Sequence, residues 1–121
     1  MSRSSTLKTV EEIIKEARSS AEFISPEQAK LLLAKSDTLI IDVREPAEHN
    51  EACIPHSINI PRGVLEMKIA SLAPTPEHEI IIHCATGGRA SLSYHSLKSM
   101  GYNNVRVIDG AFDAIHSTCN C

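Results

Sequence analysis

Two short apolar runs do most to limit what this chain can become: TLIIDV at residues 38–43 and EIIIHC at residues 79–84. Neither alternates apolar with polar residues, so neither suits a strand with one wet face. Both fit strands buried on two faces of a parallel sheet. Further strands are expected at residues 21–24, 57–60 and 105–108. Helix-periodic segments separate them. Ser25-Pro26-Glu27-Gln28 reads as an N-cap hydroxyl, Pro at the first helical position and a capping-box Gln, opening a helix to about Lys35 with a turn at Ser36-Asp37. Pro46 opens a helical turn. A helix begins at Gly63 and ends before Pro74, another is stopped by Gly101, and a short one follows Gly110. Strands alternating with helices imply an α/β domain, a parallel sheet with helices on both faces.

Residues 9–20 place Val10, Ile13, Ile14 and Ala17 on one face of a further helix. Its expected role is to cover the sheet edge, with docking on a partner as the alternative. The organisation expected is therefore an N-terminal helical extension (1–20), one α/β domain (21–116) and a Cys-containing tail (117–121).

Charge and composition exclude several classes. A net charge of −3 without a polybasic run gives no footprint for nucleic acid or an anionic membrane. The apolar runs fall far short of the ~20 residues that span a bilayer. The opening MSRSSTLK has no apolar segment of the secretory kind, so a cytoplasmic chain is expected. Four Cys in 121 residues, two of them crowded into the last three positions, read as reduced thiols rather than a disulfide framework.

Chemistry concentrates where the strand at residues 79–84 ends. Cys84 is followed by Ala85, Thr86, Gly87, Gly88 and Arg89, then by a helix. A strand that delivers a thiol to a helix N-terminus surrounds it with unpaired N–H groups and the positive end of the helix dipole, which favour its anion. The glycines let backbone approach a bound anion without Cβ interference. Polar groups also follow the strand at residues 38–43, at Asp42 and Arg44, on the sheet edge where ligands of such folds collect.

These segments resemble the rhodanese homology domain. Ile41-Asp42-Val43-Arg44-Glu45-Pro46, Glu48-His49, Ile54-Pro55 and Ile58-Asn59-Ile60-Pro61 carry the first half of the likeness. Cys84-Ala85-Thr86-Gly87-Gly88-Arg89-Ala90, Gly101-Tyr102 and Asp109-Gly110 with Phe112-Asp113-Ala114 carry the second. The likeness runs from Phe23 to Ile115. It departs from the family pattern at Ala52-Cys53-Ile54-Pro55-His56, where Gly-His-Ile-Pro-Gly is usual, at Gly110-Ala111 in place of a double Gly, and at Ile115 in place of Trp.

The resemblance implies a three-layer fold around a five-stranded parallel sheet. It also implies sulfurtransferase chemistry, with sulfane sulfur taken from thiosulfate or a persulfide donor through a persulfide on Cys84, which needs no metal or organic cofactor. Backbone N–H groups of residues 85–89 would hold the anionic sulfur, and Arg89 the sulfonate of thiosulfate. The acceptor would be cyanide in the laboratory and a thiol or a protein in the cell. Asp42 and Arg44 are expected to support the site, Arg44 through a carboxylate such as Glu48. His83 is expected on the face opposite Cys84, as a satisfied interior side chain.

Other readings remain beside this one. Related phosphatases place five residues between Cys and Arg, whereas four separate Cys84 from Arg89, a tighter loop suited to sulfur; phosphatase or arsenate reductase activity is the alternative use of the same loop. A sulfur-relay or sensing module acting mainly by partner binding is another, motivated by the N-terminal helix and the Cys119/Cys121 pair. That pair with His116 is weak as a metal site, and a frayed tail is expected. Cys53 is expected to be a passive thiol.

Overall fold

The computed structural model describes residues 7–35 and 37–119. Residues 1–6, Ser36 and residues 120–121 lie outside it, so the expected leader reading, half of the Ser36-Asp37 turn and the Cys121 thiol fall outside the described residues. The elements in chain order are α1 (Val10–Ser20), β1 (Phe23–Ile24), α2 (Pro26–Leu32), β2 (Leu39–Asp42), α3 (Pro46–Glu51) and β3 (Ile58–Asn59). A 3-10 turn (Arg62–Val64) leads into α4 (Leu65–Leu72), followed by β4 (Ile80–His83), α5 (Gly88–Met100), β5 (Val105–Ile108) and α6 (Phe112–Cys119). The strands form one sheet in the order β1-β5-β4-β2-β3, all parallel.

β4 lies at the centre of that sheet, and Ile80, Ile81 and Ile82 are each fully buried. Alternation along the strand sends them to two cores. Ile80 and Ile82 join Ile41, Val107, Leu65, Ile69 and Leu97 under α4 and α5. Ile81 joins Ile24, Ala29, Ile40 and Ile115 under α2 and α6. Each such side chain removed from water contributes about 1.5–3 kcal/mol, which explains why the strand carries no polar residue before its end.

The helix starts follow their capping residues. Ser25 Oγ accepts from the Gln28 N–H at 3.1 Å while Gln28 Oε1 accepts from the Ser25 N–H at 2.8 Å. Thr9 and Glu12 close the same reciprocal box on α1, at 3.1 and 2.8 Å. The expected helix from Gly63 opens instead as the 3-10 turn, with α proper from Leu65. α2 ends at Leu32, a few residues short of Lys35.

Two expectations are corrected. Along α1, Ala17 is buried and Ile14 half-buried, but Val10 and Ile13 are 69% and 42% exposed. α1 runs beside α5, with Ile14 against the first residue, Gly88, and His95 Nε2 2.9 Å from Ala17 O. Val10 and Ile13, on the N-terminal side of that contact, stay exposed. At the other end, the expected tail is helical as far as Cys119, which is buried beside α2 with its Sγ 3.6 Å from Pro26 O. Packing against α2 holds residues 117–119 in the helix.

His56 occupies the third position of a turn in which the Ser57 N–H donates to Ile54 O at 3.1 Å, with Pro55 at the second. Its φ of 68° is the left-handed value a type II turn demands there, and among the described non-glycine residues it stands alone in that region. His56→Gly should raise stability by roughly 0.5 kcal/mol, relief of strain exceeding the extra chain entropy of glycine. His56→Val should lower it by roughly 1 kcal/mol, because a branched Cβ tolerates positive φ least. Denaturant midpoints at unchanged m-value would show both.

Candidate active site

The C-terminal end of β4 turns through residues 84–87 into α5, and Cys84 is 2% exposed at its base. The Gly87 N–H donates to Cys84 Sγ at 3.1 Å and the Ala90 N–H donates to it at 3.2 Å. Gly87 is the N-cap of α5 and has no side chain to satisfy the N–H groups of the first turn. The sulfur does so instead, occupying the place an N-cap oxygen usually takes. The positive φ of Gly87, 96°, folds the backbone back toward the sulfur, and α5 adds its dipole.

The remaining loop residues divide by exposure. Ala85 is half-buried and tied to the start of α6, its carbonyl accepting from the Phe112 N–H at 2.9 Å. Thr86 is exposed; Gly87 and Gly88 are buried. A Cβ on Gly88 would lie 3.1 Å from Ile14 Cδ1, so the glycine there admits α1 rather than a ligand.

Arg89 points toward α3. Its Nη1 and Nη2 donate to Glu48 Oε1 and Oε2 at 2.8 and 3.2 Å, and Glu48 Oε1 also accepts from the Glu45 N–H at 2.9 Å. Hydrogen bonds from Arg89 and from the Glu45 backbone hold the Glu48 carboxyl below its usual range. Glu48 holds the guanidinium above its own. Both side chains are about one-third exposed, so solvent screens the pair.

The expected Arg44–Glu48 pair is therefore replaced. Arg44 instead grips Asp42, with Nε and Nη2 donating to its two oxygens at 3.0 and 2.8 Å, and Nη2 also reaches Ala52 O at 2.7 Å. Two residues apart on an extended segment, the side chains share one side and meet at short range, which leaves Glu48 to Arg89. The guanidinium stacks on Phe112, 3.8 Å from the ring centroid, and His49 Nδ1 lies 2.9 Å from Asp42 Oδ2. Burial alone would raise the Asp42 carboxyl; the Arg44 hydrogen bonds and the His83 and His49 neighbours outweigh it and hold it low. This buried assembly braces the loop from below through Phe112. A cavity of about 360 Å³ opens beside the loop, bordered by Ala85, Phe112, Glu48, Glu51 and Asp113.

His83 faces away from Cys84, as alternation requires, but it is not satisfied. Neither ring nitrogen has a hydrogen-bond partner among the described residues. The ring stacks on Phe112 at 6.0 Å between centroids, where α6 closes over it without offering an acceptor. Among the described residues no three His, Cys, Asp or Glu side chains gather into a metal-binding group. His116 stacks on Phe112, Cys53 is half-buried, and Cys121 is outside the described residues. No helix among the described residues is long and apolar enough to cross a membrane.

Sequence reasoning did not find the roles of Phe112 and His49 around Asp42, nor the proximity of α1 to the loop. Glu48 was in view but with the wrong partner. Except for His49, seven residues from Asp42, these contacts join segments far apart in the chain, and no local pattern announces them.

A parallel five-stranded sheet with helices on both faces, and a cysteine cradled at a helix N-terminus, define a small three-layer α/β domain with a thiol at the C-terminal end of its central strand. The rhodanese-like domain profile matches residues 25–118, and the chain belongs to that family. The thiosulfate:glutathione sulfurtransferase of Saccharomyces cerevisiae is 30% identical over 100 residues, covering 72% of this chain and 72% of that protein. The human single-domain sulfurtransferase TSTD1 superposes with a TM-score of 0.68 at 27% identity, covering 78% of this chain and 95% of that one. A Rhodopseudomonas palustris protein of unknown function, named a possible tyrosine phosphatase, superposes at 0.76 with 31% identity, covering 91% of this chain and 90% of that one.

Burial holds the His83 pKa down to about 4 from 6.5; Asp42 pulls it upward, while Arg44 and His49 push it further down. The unfolded chain takes up that proton first, so the stability His83 contributes is complete above pH ~6.5 and is lost as pH falls toward ~4. The loss amounts to roughly 3 kcal/mol. His83→Leu should flatten unfolding free energy across that window, measured by urea titration at pH 7, 5.5 and 4.5.

Proposed function

We propose that this protein is a sulfurtransferase that carries a sulfane sulfur as a persulfide on Cys84, with thiosulfate as donor and a thiol as acceptor. The observation that carries the reading is the pair of backbone N–H groups, of Gly87 and Ala90, converging on Cys84 Sγ within a rhodanese-like domain. Backbone donors aimed at the sulfur suit the anionic form in which it would attack.

In the proposed cycle the Cys84 thiolate attacks the outer sulfur of thiosulfate. The S–S bond of thiosulfate breaks, sulfite leaves with the electron pair, and Cys84 becomes an anionic persulfide. The N–H groups of Ala85, Thr86, Gly88 and Arg89 have no acceptor among the described residues and are available to the added sulfur. An acceptor thiolate then attacks that sulfur, forming its own persulfide and returning the Cys84 thiolate. No oxidant or reductant enters. The yeast relative's name supports a small thiol such as glutathione as acceptor. Asp42 and Arg44 take no part in bond-making; they hold Phe112 and, through it, Ala85.

The Rhodopseudomonas palustris protein's name favours a second reading, phosphate-ester hydrolysis by the same thiolate. The loop speaks against it. Four residues between Cys84 and Arg89 make a tight cradle, and Arg89 is engaged with Glu48 rather than turned to the sulfur.

Incubation with thiosulfate should add the mass of one sulfur atom to Cys84, and cyanide should remove it as thiocyanate. Cys84→Ser should lower turnover by roughly a thousandfold or more. Full activity in that variant, or hydrolysis of an aryl phosphate faster than sulfur transfer, would overturn the reading.

A further inference from the structure

Four arginines surround the C-terminal edge of the sheet, and three are spoken for among the described residues. Arg44 is locked on Asp42, Arg62 donates to Glu66 and Ser96, and Arg89 is bidentate on Glu48. The fourth, Arg18, belongs to α1. The position a Gly87 Cβ would take is 2.5 Å from Arg18 Nη1, so the absence of that side chain is what lets the guanidinium lie on the loop. Phe23 supports it from one side, 4.9 Å from ring centroid to Cζ. Its carboxylate contact, Nη2 to Asp109 Oδ1, is 3.6 Å long, beyond hydrogen-bonding range, and both partners are substantially exposed.

The geometry points to Arg18 as the cation that receives the anionic sulfur donor at the Cys84 loop. This assignment rests on the sulfurtransferase reading above and gives its donor site a charge. Gly87 N is 3.1 Å from Sγ. With a backbone N–Cβ separation of about 2.5 Å, the Arg18 guanidinium falls within about 8 Å of the sulfur. A thiosulfate with its outer sulfur on Sγ carries its sulfonate into the reach of a guanidinium on so flexible a stem. A planar fork of N–H donors suits a sulfonate, and the weak Asp109 contact is readily exchanged for it. The cavity beside the loop is unsuited to that ligand: it is rimmed by Glu48, Glu51 and Asp113, and its one arginine, Arg44, is already neutralised. Arg18 lies upstream of the residues the family profile matches, 25–118, so the donor specificity it supplies comes from the added helix rather than from the shared domain.

The test is steady-state kinetics of the full chain with thiosulfate, alongside mass measurement of Cys84. Arg18→Met should raise the KM for thiosulfate about tenfold, the loss of one charge-assisted contact, with kcat nearly unchanged. Arg18→Lys should recover most of the loss. The wild-type KM should climb with ionic strength and that of Arg18→Met should stay flat, a difference that a purely structural role for Arg18 would not produce. A wild-type KM for Arg18→Met, or equal salt dependence of the two proteins, overturns the assignment while leaving the Cys84 persulfide in place. Absence of any persulfide on the wild-type protein overturns both.

Discussion

Burial of β4 on both faces is the constraint from which the rest of the molecule follows. With two cores pressing on Ile80, Ile81 and Ile82, the strand cannot shift by one residue without exchanging its whole side-chain set between them. Its end is therefore fixed, and with it the point where Cys84 leaves the sheet. α5 starts four residues later because Gly87 reverses the chain, and its unpaired N–H groups close on the sulfur. The Cys84 sulfur is held by backbone, which has little freedom to relax, rather than by a partner side chain.

The charged groups around this loop are sorted into closed pairs. Asp42 and Arg44 are buried together and satisfied by His49, Ala52 and the Phe112 ring, so they stiffen the floor without presenting charge. Glu48 and Arg89 close the α3 side in a more exposed pair. Such neutralisation leaves the floor of the cradle and its α3 side to the peptide dipoles, whose orientation solvent cannot easily alter. His83 carries the cost of this design. It is sealed beneath the loop with both ring nitrogens unpartnered, and it stays there as a neutral ring.

The N-terminal helix changes the character of the site from outside the shared domain. Gly88 lets Ile14 pack against the first turn of α5, and Gly87 admits Arg18. Both glycines thus serve the contact between α1 and the loop as well as the loop's own shape. The same arrangement leaves Val10 and Ile13 exposed although they share the apolar face of the helix.

The non-alternating runs at residues 38–43 and 79–84, the capping residues and the strand–helix alternation were enough to specify a parallel α/β sheet and to place Cys84 at a helix N-terminus, because these are local properties of a few neighbouring residues. Alternation also put His83 opposite Cys84. Partner choice among charges was not legible: Arg44 pairs with Asp42 and Glu48 with Arg89, since distance across a fold rather than residue type decides between equivalent carboxylates. The burial of Cys119 was hidden for the same reason, α2 being its cover from the other end of the chain. By itself the amino-acid order determined the fold and the place of Cys84 at the start of α5. Tertiary structure alone decided which carboxylate each arginine at the loop meets and how closely, because that depends on where distant segments converge.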